Sequence, residues 1–242
     1  MVVRYFQKGF NFSQDGPGNR LVYHLQGCNL RCPWCSNPEG MDFARPAREE
    51  TPEAVAKAVL SARPMFFDGG GLTLTGGECT AQAEAVKALL ALVRGGGVNT
   101  CIETNASSPA FAEILPLLDY LICDFKHPDA DEHRKWTGLD NAQIKQNIAL
   151  AVRTGMPVAM RIPLIHGVND SDEALQGFLD FLAPLAAHEN VTLEILRYHE
   201  YGKDKWKQLG REYTMRDAFV APERAALFER EIQSAGIRVI HT

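Results

Sequence analysis

The 242-residue chain contains no apolar stretch that approaches the roughly 18 residues of a membrane-spanning helix. Its opening residues, Met-Val-Val-Arg-Tyr-Phe-Gln-Lys, lack the apolar core of a secretory signal, so a soluble cytoplasmic protein is expected. Basic residues are not in excess: 25 Lys and Arg stand against 30 Asp and Glu, a net charge of −5. That balance argues against a nucleic-acid-binding protein, which needs a positive face. Six cysteines are far too few for a secreted domain stapled by disulfides. Internal repeats and low-complexity tracts are also missing. What remains is ordinary globular composition, 45% hydrophobic, enough to bury a sizeable core as a single domain over residues 1–242.

Half of the few cysteines are crowded together. Cys28, Cys32 and Cys35 lie within Gly-Cys-Asn-Leu-Arg-Cys-Pro-Trp-Cys-Ser-Asn-Pro-Glu-Gly, a C-x3-C-x2-C spacing on a Gly- and Pro-bearing loop over 27–40. Three such thiolates can each take one iron of a [4Fe–4S] cluster and leave the fourth iron without a protein ligand. Electron-transfer clusters ordinarily use four cysteines, so the open position is where chemistry can begin. Zinc is the competing metal, because His24 lies four residues before Cys28 and could complete a Cys3His site. Against it, no second closely spaced ligand pair follows. Cys79, Cys101 and Cys123 are isolated; Cys101 and Cys123 lie in β-type runs and read most simply as buried thiols.

Short β-type runs alternate with amphipathic stretches. Strands are expected over 20–26, 72–75, 98–103, 119–125, 157–164 and 191–196, and helices over 51–63, 80–94, 109–117, 140–154, 172–187 and 222–235. Thr51, Pro52 and Glu53 form a helix start. Gly95-Gly96-Gly97 and Gly155 stop two helices. Residues 36–50, with Pro38, Gly40 and Pro46, read as loop; 198–215 reads as a long surface loop ahead of the C-terminal helix in 198–242. Six strand–helix alternations imply an α/β fold with a parallel sheet and right-handed crossovers. Ligands of such folds bind at the carboxyl ends of strands. The polar runs fall there: the cysteine loop after the first strand, Gly-Gly-Glu (76–78) after the second, Glu-Thr-Asn (103–105) after the third, Asp-Phe-Lys (124–126) after the fourth and Tyr-His (198–199) after the sixth.

Taken in order, Ser-Gln-Asp-Gly-Pro-Gly-Asn-Arg (13–20), the three cysteines, Thr-Gly-Gly-Glu (75–78), Glu-Thr-Asn, Asp-Phe-Lys and Arg-Tyr-His-Glu-Tyr-Gly (197–202) resemble the radical S-adenosylmethionine (SAM) superfamily. Within it they resemble the activating enzymes of glycyl radical enzymes, such as the formate-lyase activases. The resemblance implies an open, partial (β/α)6 barrel. It implies a [4Fe–4S] cluster on Cys28, Cys32 and Cys35 that cleaves SAM reductively to a 5′-deoxyadenosyl radical, which takes a Cα hydrogen from a glycine of a partner enzyme. The protein would supply aim and exclusion of water. With no second cluster encoded, flavodoxin or ferredoxin is the expected reductant, and a monomer the expected state.

The resemblance also implies residue roles. Gly76 and Gly77 let backbone approach the SAM amino group, with the Glu78 carboxylate nearby. Lys126 serves the SAM carboxylate as a flexible point charge. Glu103 and Asp124 hold a monovalent cation, although Glu103 stands where the formate-lyase activases carry Asp. Trp34, Cys35 and Ser36 meet adenine through backbone, His199 lies on the adenine side, and Phe125 and Arg161 are further cofactor contacts. Asp15 matches the residue that meets the partner's glycine loop, although Asp-Gly-Pro-Gly is equally turn chemistry. His127, His166 and His241 have no motif support. Ser-Asn-Pro-Glu-Gly (36–40) resembles the dehydratase and decarboxylase activases, yet their cysteine-rich insert is missing. The partner enzyme is therefore open. Two rivals stand beside this reading: radical chemistry on a small molecule or peptide, and a non-catalytic electron carrier or zinc-stabilised binding protein.

Overall fold

The computed structural model describes residues 1–45 and 47–242. Pro46, assigned from sequence to a loop, lies outside the described residues. The chain divides into two compact units, residues 1–29 with 37–122, and residues 30–36 with 123–242. No helix among the described residues is long and apolar enough to cross a membrane.

The first unit carries β1 (Val3–Phe12), β2 (Asn19–Leu25), β3 (Arg48–Glu50), α1 (Pro52–Ser61), β4 (Gly71–Gly76), α2 (Ala83–Gly95), β5 (Asn99–Thr104) and α3 (Phe111–Ile114). Its strands run in the order β3-β1-β2-β4-β5. β2, β4 and β5 are parallel, while β1 is antiparallel to both β2 and β3. The sequence reading missed β1 and β3 and expected parallel strands throughout. The second half of β1, Gln-Lys-Gly-Phe-Asn-Phe, is mostly exposed and lacks the apolar alternation that marks a half-buried strand. β3 turns the end of the supposed 36–50 loop into strand, and residues 38–40 form a 3-10 turn. α1 begins as its sequence dictates: Thr51 Oγ1 accepts from Ala54 N at 3.2 Å and Pro52 occupies the first turn.

Strand β6 (Tyr120–Asp124) is divided, with Cys123 and Asp124 belonging to the second unit. That unit continues with α4 (Ala130–Thr137), α5 (Ala142–Arg153), β7 (Val158–Leu164), α6 (Asp172–Leu182), β8 (Val191–Arg197), α7 (Lys203–Gln208), α8 (Pro222–Ser234) and β9 (Arg238–Val239). β7, β8 and β9 are parallel neighbours. Neither run of strands closes on itself, since β3 ends one and β9 the other. This is the expected α/β class, with nine strands among the described residues instead of six.

α4 was unforeseen because it is polar all round, burying only His133 and Thr137. Asp129 caps it through the amides of Asp131 and Glu132, and Gly138 at φ +94° ends it. The expected surface loop over 198–215 is the larger correction. It contains α7, and Tyr198, Tyr213 and Met215 are buried with Ile165, Val168 and Ala218, against which Trp34, Trp136 and Trp206 pack. Aromatics spaced without a period form a core here that no helical or strand pattern announces.

Candidate functional site

In the first unit the chain leaving β2 is stitched on both sides. Gly27 N donates to Gly40 O at 2.7 Å and Cys28 N to Met41 O at 3.1 Å. On the other side Gly77 N donates to Leu25 O at 2.8 Å and Glu78 N to Gly27 O at 2.7 Å. Gly77 is required by this weave, because a Cβ there would lie 2.2 Å from Gly27 O and 2.5 Å from Gly40 O. Gly76 has φ +111°, a conformation open to glycine. Two glutamines that the sequence reading passed over complete the stitching. Gln26 Nε2 donates to Glu39 O and Asp42 O at 2.9 and 2.6 Å, and Gln82 Nε2 to Gln26 O at 2.8 Å. Gln26 is buried immediately before Gly27-Cys28, a position that could have drawn attention to it.

Glu78 is only 1% exposed. Its Oε1 accepts from Thr80 N at 2.9 Å, Thr80 Oγ1 at 2.6 Å and Thr104 Oγ1 at 2.7 Å, and its Oε2 from Asn105 N at 2.7 Å. A carboxylate has about four acceptor positions. With the Cys79 thiol also donating to Oε1 at 3.8 Å, four donors crowd that oxygen and only Oε2 has spare capacity, so the carboxylate chiefly ties the end of β4 to the end of β5. Glu103, within β5, accepts from Thr75 Oγ1 at 2.8 Å. Asn105 Nδ2 donates to Asn29 Oδ1 at 3.0 Å, next to Cys28 in sequence. Asp15 sits at the other end of β2, half-buried, accepting from the Asn11 amide; its own carbonyl accepts from Thr73 Oγ1 at 2.7 Å.

In the second unit Cys35 N donates to Cys32 O at 3.2 Å, a tight turn that carries Trp34. Trp206 Nε1 donates to Cys35 O at 2.9 Å, and a Cβ on Gly202 would lie 2.4 Å from the same oxygen. Residues 202–206 therefore clamp the end of the cysteine loop, a contact between positions 171 apart in sequence that no local signal reveals. Trp34 packs on Trp136 at 6.3 Å, and Arg31 N donates to Thr137 O at 2.8 Å, so α4 braces the same loop. Burial pushes the Cys32 thiol up to about 12, with nearby Lys126 working against that rise.

Lys126 Nζ meets Asp124 Oδ2 at 2.5 Å, with both side chains mostly buried. The ring of Phe125 between them points the other way, into the core against Phe178 and Phe181, which leaves its backbone for the expected cofactor contact. Arg161 lies mid-strand opposite Glu194, with Nε donating to Glu194 Oε2 at 2.9 Å. His199 stacks on Tyr201 at 4.1 Å, and burial lowers its pKa from the usual imidazole value. It lines a pocket of about 340 Å³ with Glu194, Arg197, Glu229 and His241, which brings in a histidine that had no motif support. His127 and His166 find structural partners instead, Val168 O and Asp170.

Residues 22–179 match the model of the radical SAM superfamily. The chain is 36% identical over 211 residues to the pyruvate formate-lyase-activating enzyme of Staphylococcus epidermidis, covering 83% of each chain. It is 34% identical over 221 residues to that of Staphylococcus aureus (strain USA300), covering 87% of each. The chain belongs to the radical SAM superfamily, in the family of these activating enzymes. A solved domain of pyruvate-formate lyase-activating enzyme from Bacteroides vulgatus superposes with TM-score 0.57 at 25% identity, covering 71% of this chain and 98% of that one.

The donor set fits the cluster of a radical SAM enzyme. Cys28, Cys32 and Cys35 take part in no disulfide, and sulfur is the ligand that iron–sulfur clusters select. Among the described residues no group of three His, Cys, Asp or Glu converges on one point to hold a single metal ion. A cubane instead gives each thiolate its own iron. Cys101 and Cys123 are buried, as expected, and so is Cys79; burial raises the Cys79 and Cys123 thiols well above the usual value.

Proposed function

We propose that this protein activates a glycyl radical enzyme. The observation that carries the reading is the C-x3-C-x2-C loop following the first strand of a parallel sheet, in a chain 36% identical to an enzyme that activates pyruvate formate-lyase. A [4Fe–4S] cluster with SAM at its open iron supplies, when bound, an electron to the sulfonium and so the means to take a hydrogen atom from a glycine Cα.

The chain's own residues do the rest. Cys28, Cys32 and Cys35 would hold three irons of the cluster as thiolates, buried Cys32 giving up its proton to do so. The backbone at Gly76 and Gly77 accepts from the SAM amino group, while Glu78 fixes that backbone and offers Oε2. Lys126 turns from Asp124 to the SAM carboxylate, leaving Asp124 and Glu103 to bind a monovalent cation. The backbone at Trp34, Cys35 and Ser36 meets adenine on one side and His199 on the other. Arg161 is held by Glu194 and positions the strand beneath. The Asp15 loop receives the partner. Flavodoxin or ferredoxin supplies the electron, in a cytoplasm low in oxygen, and the chain works as one domain and as a monomer.

The test is to purify the protein without air, reduce it, and add SAM with each glycyl radical enzyme encoded in the same genome. About four irons per chain, 5′-deoxyadenosine formation and a glycyl doublet in the electron paramagnetic resonance spectrum are expected. One zinc and no iron, or 5′-deoxyadenosine with no doublet from any enzyme, would overturn the proposal.

A further inference from the structure

We infer that the outer edge of β1, with the aromatic side chains beside it, is where an extended segment of the partner glycyl radical enzyme docks, by adding a strand. The inference rests on the activase reading and concerns a surface that reading does not define. β1 pairs with β3 only over Val3–Tyr5, whereas its pairing with β2 runs on to Phe12. From Gln7 to Phe12, therefore, no strand among the described residues covers its outer side. The side chains there are exposed apart from Asn11, which is half-buried. Phe12 O accepts from Gln14 N at 2.9 Å, so it faces away from β2, and the two-residue alternation of an antiparallel pair turns the backbone groups of Phe10 and Lys8 the same way. Such an edge is a template for another strand.

The face beside the edge is apolar. Phe10 and Phe12 are 47% and 53% exposed, and Phe67 and Met65 are 51% and 50% exposed. Phe10 lies 6.3 Å from Phe66, and Phe12 stacks on Phe67 at 5.7 Å. The 65–67 segment is pinned to the start of β2, with Asn19 N donating to Phe67 O at 3.1 Å and Asn19 Nδ2 to Met65 O at 2.8 Å. The patch is continuous with the Asp15 loop. Buried Arg20 donates to Pro17 O and to Thr73 Oγ1, and Thr73 in turn donates to Asp15 O. A partner seated on the edge of β1 thus meets a rigid Asp15 loop at its end.

Area decides which occupant fits. Four side chains half exposed, at about 200 Å² each, offer about 400 Å². A stable complex buries about 800 Å² per partner. The patch is too small for a standing dimer of this chain and suits a substrate enzyme that must be released after each transfer. Main-chain hydrogen bonds along the edge supply the remaining grip, and the paired phenylalanines select apolar side chains at alternate positions of the docked segment.

The test uses whichever glycyl radical enzyme the wild-type holoprotein activates in the screen above; if none responds, the activase reading falls and this inference with it. With a responding enzyme, the double variant Phe10→Asp, Phe12→Asp should raise the KM for that enzyme at least about tenfold, while 5′-deoxyadenosine formation without partner stays at the wild-type rate. Phe10→Leu with Phe12→Leu should restore most of the loss. Hydrogen exchange at residues 8–12 should slow when the partner is added to wild type. An unchanged KM with no added protection overturns the docking surface while leaving the activase reading intact. So does a wild-type dimer in sedimentation that the Asp variant dissociates without any effect on activation, because the edge would then serve a second copy.

Discussion

Glu78 in the first unit and Asp124 in the second lie at or just past the end of a strand, and they are held in opposite ways. Glu78 takes five hydrogen bonds, all from neutral donors: the hydroxyls and amides of Thr80, Thr104 and Asn105, and the Cys79 thiol at the longer distance sulfur allows. Asp124 takes the ammonium of Lys126, two residues along the chain. Short side chains and backbone amides have little freedom to move, so the Glu78 network is part of the fold. An ammonium on a four-carbon stem can exchange one carboxylate for another without moving the backbone. Glu78 is therefore a fixed tie within its unit, whereas the Asp124–Lys126 pair within the other is one that can change partners.

The most severe way to break this comparison is at the metal. Cys32→Ser or Cys35→Ser should abolish the cluster, seen as iron and visible absorbance falling to background after anaerobic purification. The secondary structure should persist, since neither thiol is part of the sheets. Glu78→Ala comes next. It strands two hydroxyls, two amides and the Cys79 thiol, and should cost about 3 kcal/mol or more in anaerobic denaturant unfolding. Glu78→Gln keeps one acceptor but sets an amide N–H against Asn105 N, and should cost about 1–2 kcal/mol. If both variants unfolded like wild type and lost only SAM affinity, Glu78 would be a ligand group and the contrast with Asp124 would vanish. Lys126→Met should behave the other way round. Stability should fall by about 1 kcal/mol, because Asp124 keeps some access to water. SAM affinity of the holoprotein, read by equilibrium dialysis, should fall at least about tenfold from the lost charge-assisted contact.

The fixed ties were less legible in the sequence than the charges were. Glu78, Glu103, Asp124, Lys126 and His199 could be placed at strand ends because a polar residue directly after a β-type run is a local signal. Gln26, Gln82 and Trp206 were not, because each works by donating to a backbone carbonyl far away in sequence, and nothing in their neighbours encodes that acceptor. The same limit hid α4 and α7, whose helices are fixed by a cap and by packing instead of an apolar stripe. Phe125 shows the converse, a ring whose direction its polar neighbours do not announce. Its neighbours Asp124 and Lys126 are polar strand-end residues, but the alternation of a strand turns every second side chain to the other face, and Phe125 falls in the core.

The smallest expected effect is in pH. Six of the seven histidines belong to the second unit, and three of them, His127, His133 and His199, have pKa values lowered by burial. His133 is fully buried at the base of α4, where Nδ1 donates to Leu139 O at 2.6 Å; Lys126 and His127 oppose its protonation and Asp140 favours it. A folded-state pKa below the unfolded one means that the neutral ring stabilises the fold fully above about pH 6.5. That contribution is lost as the pH falls towards the folded value, at no more than about 1.4 kcal/mol per pH unit for each ring. Between pH 7 and 5.5, hydrogen exchange at α4, corrected for intrinsic rates, should quicken, while β4 and β5 keep their protection. His133→Gln should remove much of that pH dependence even if it lowers stability throughout. A uniform response of both units would mean that the titrating groups act on the whole fold, and the contrast between the two units would lose its footing.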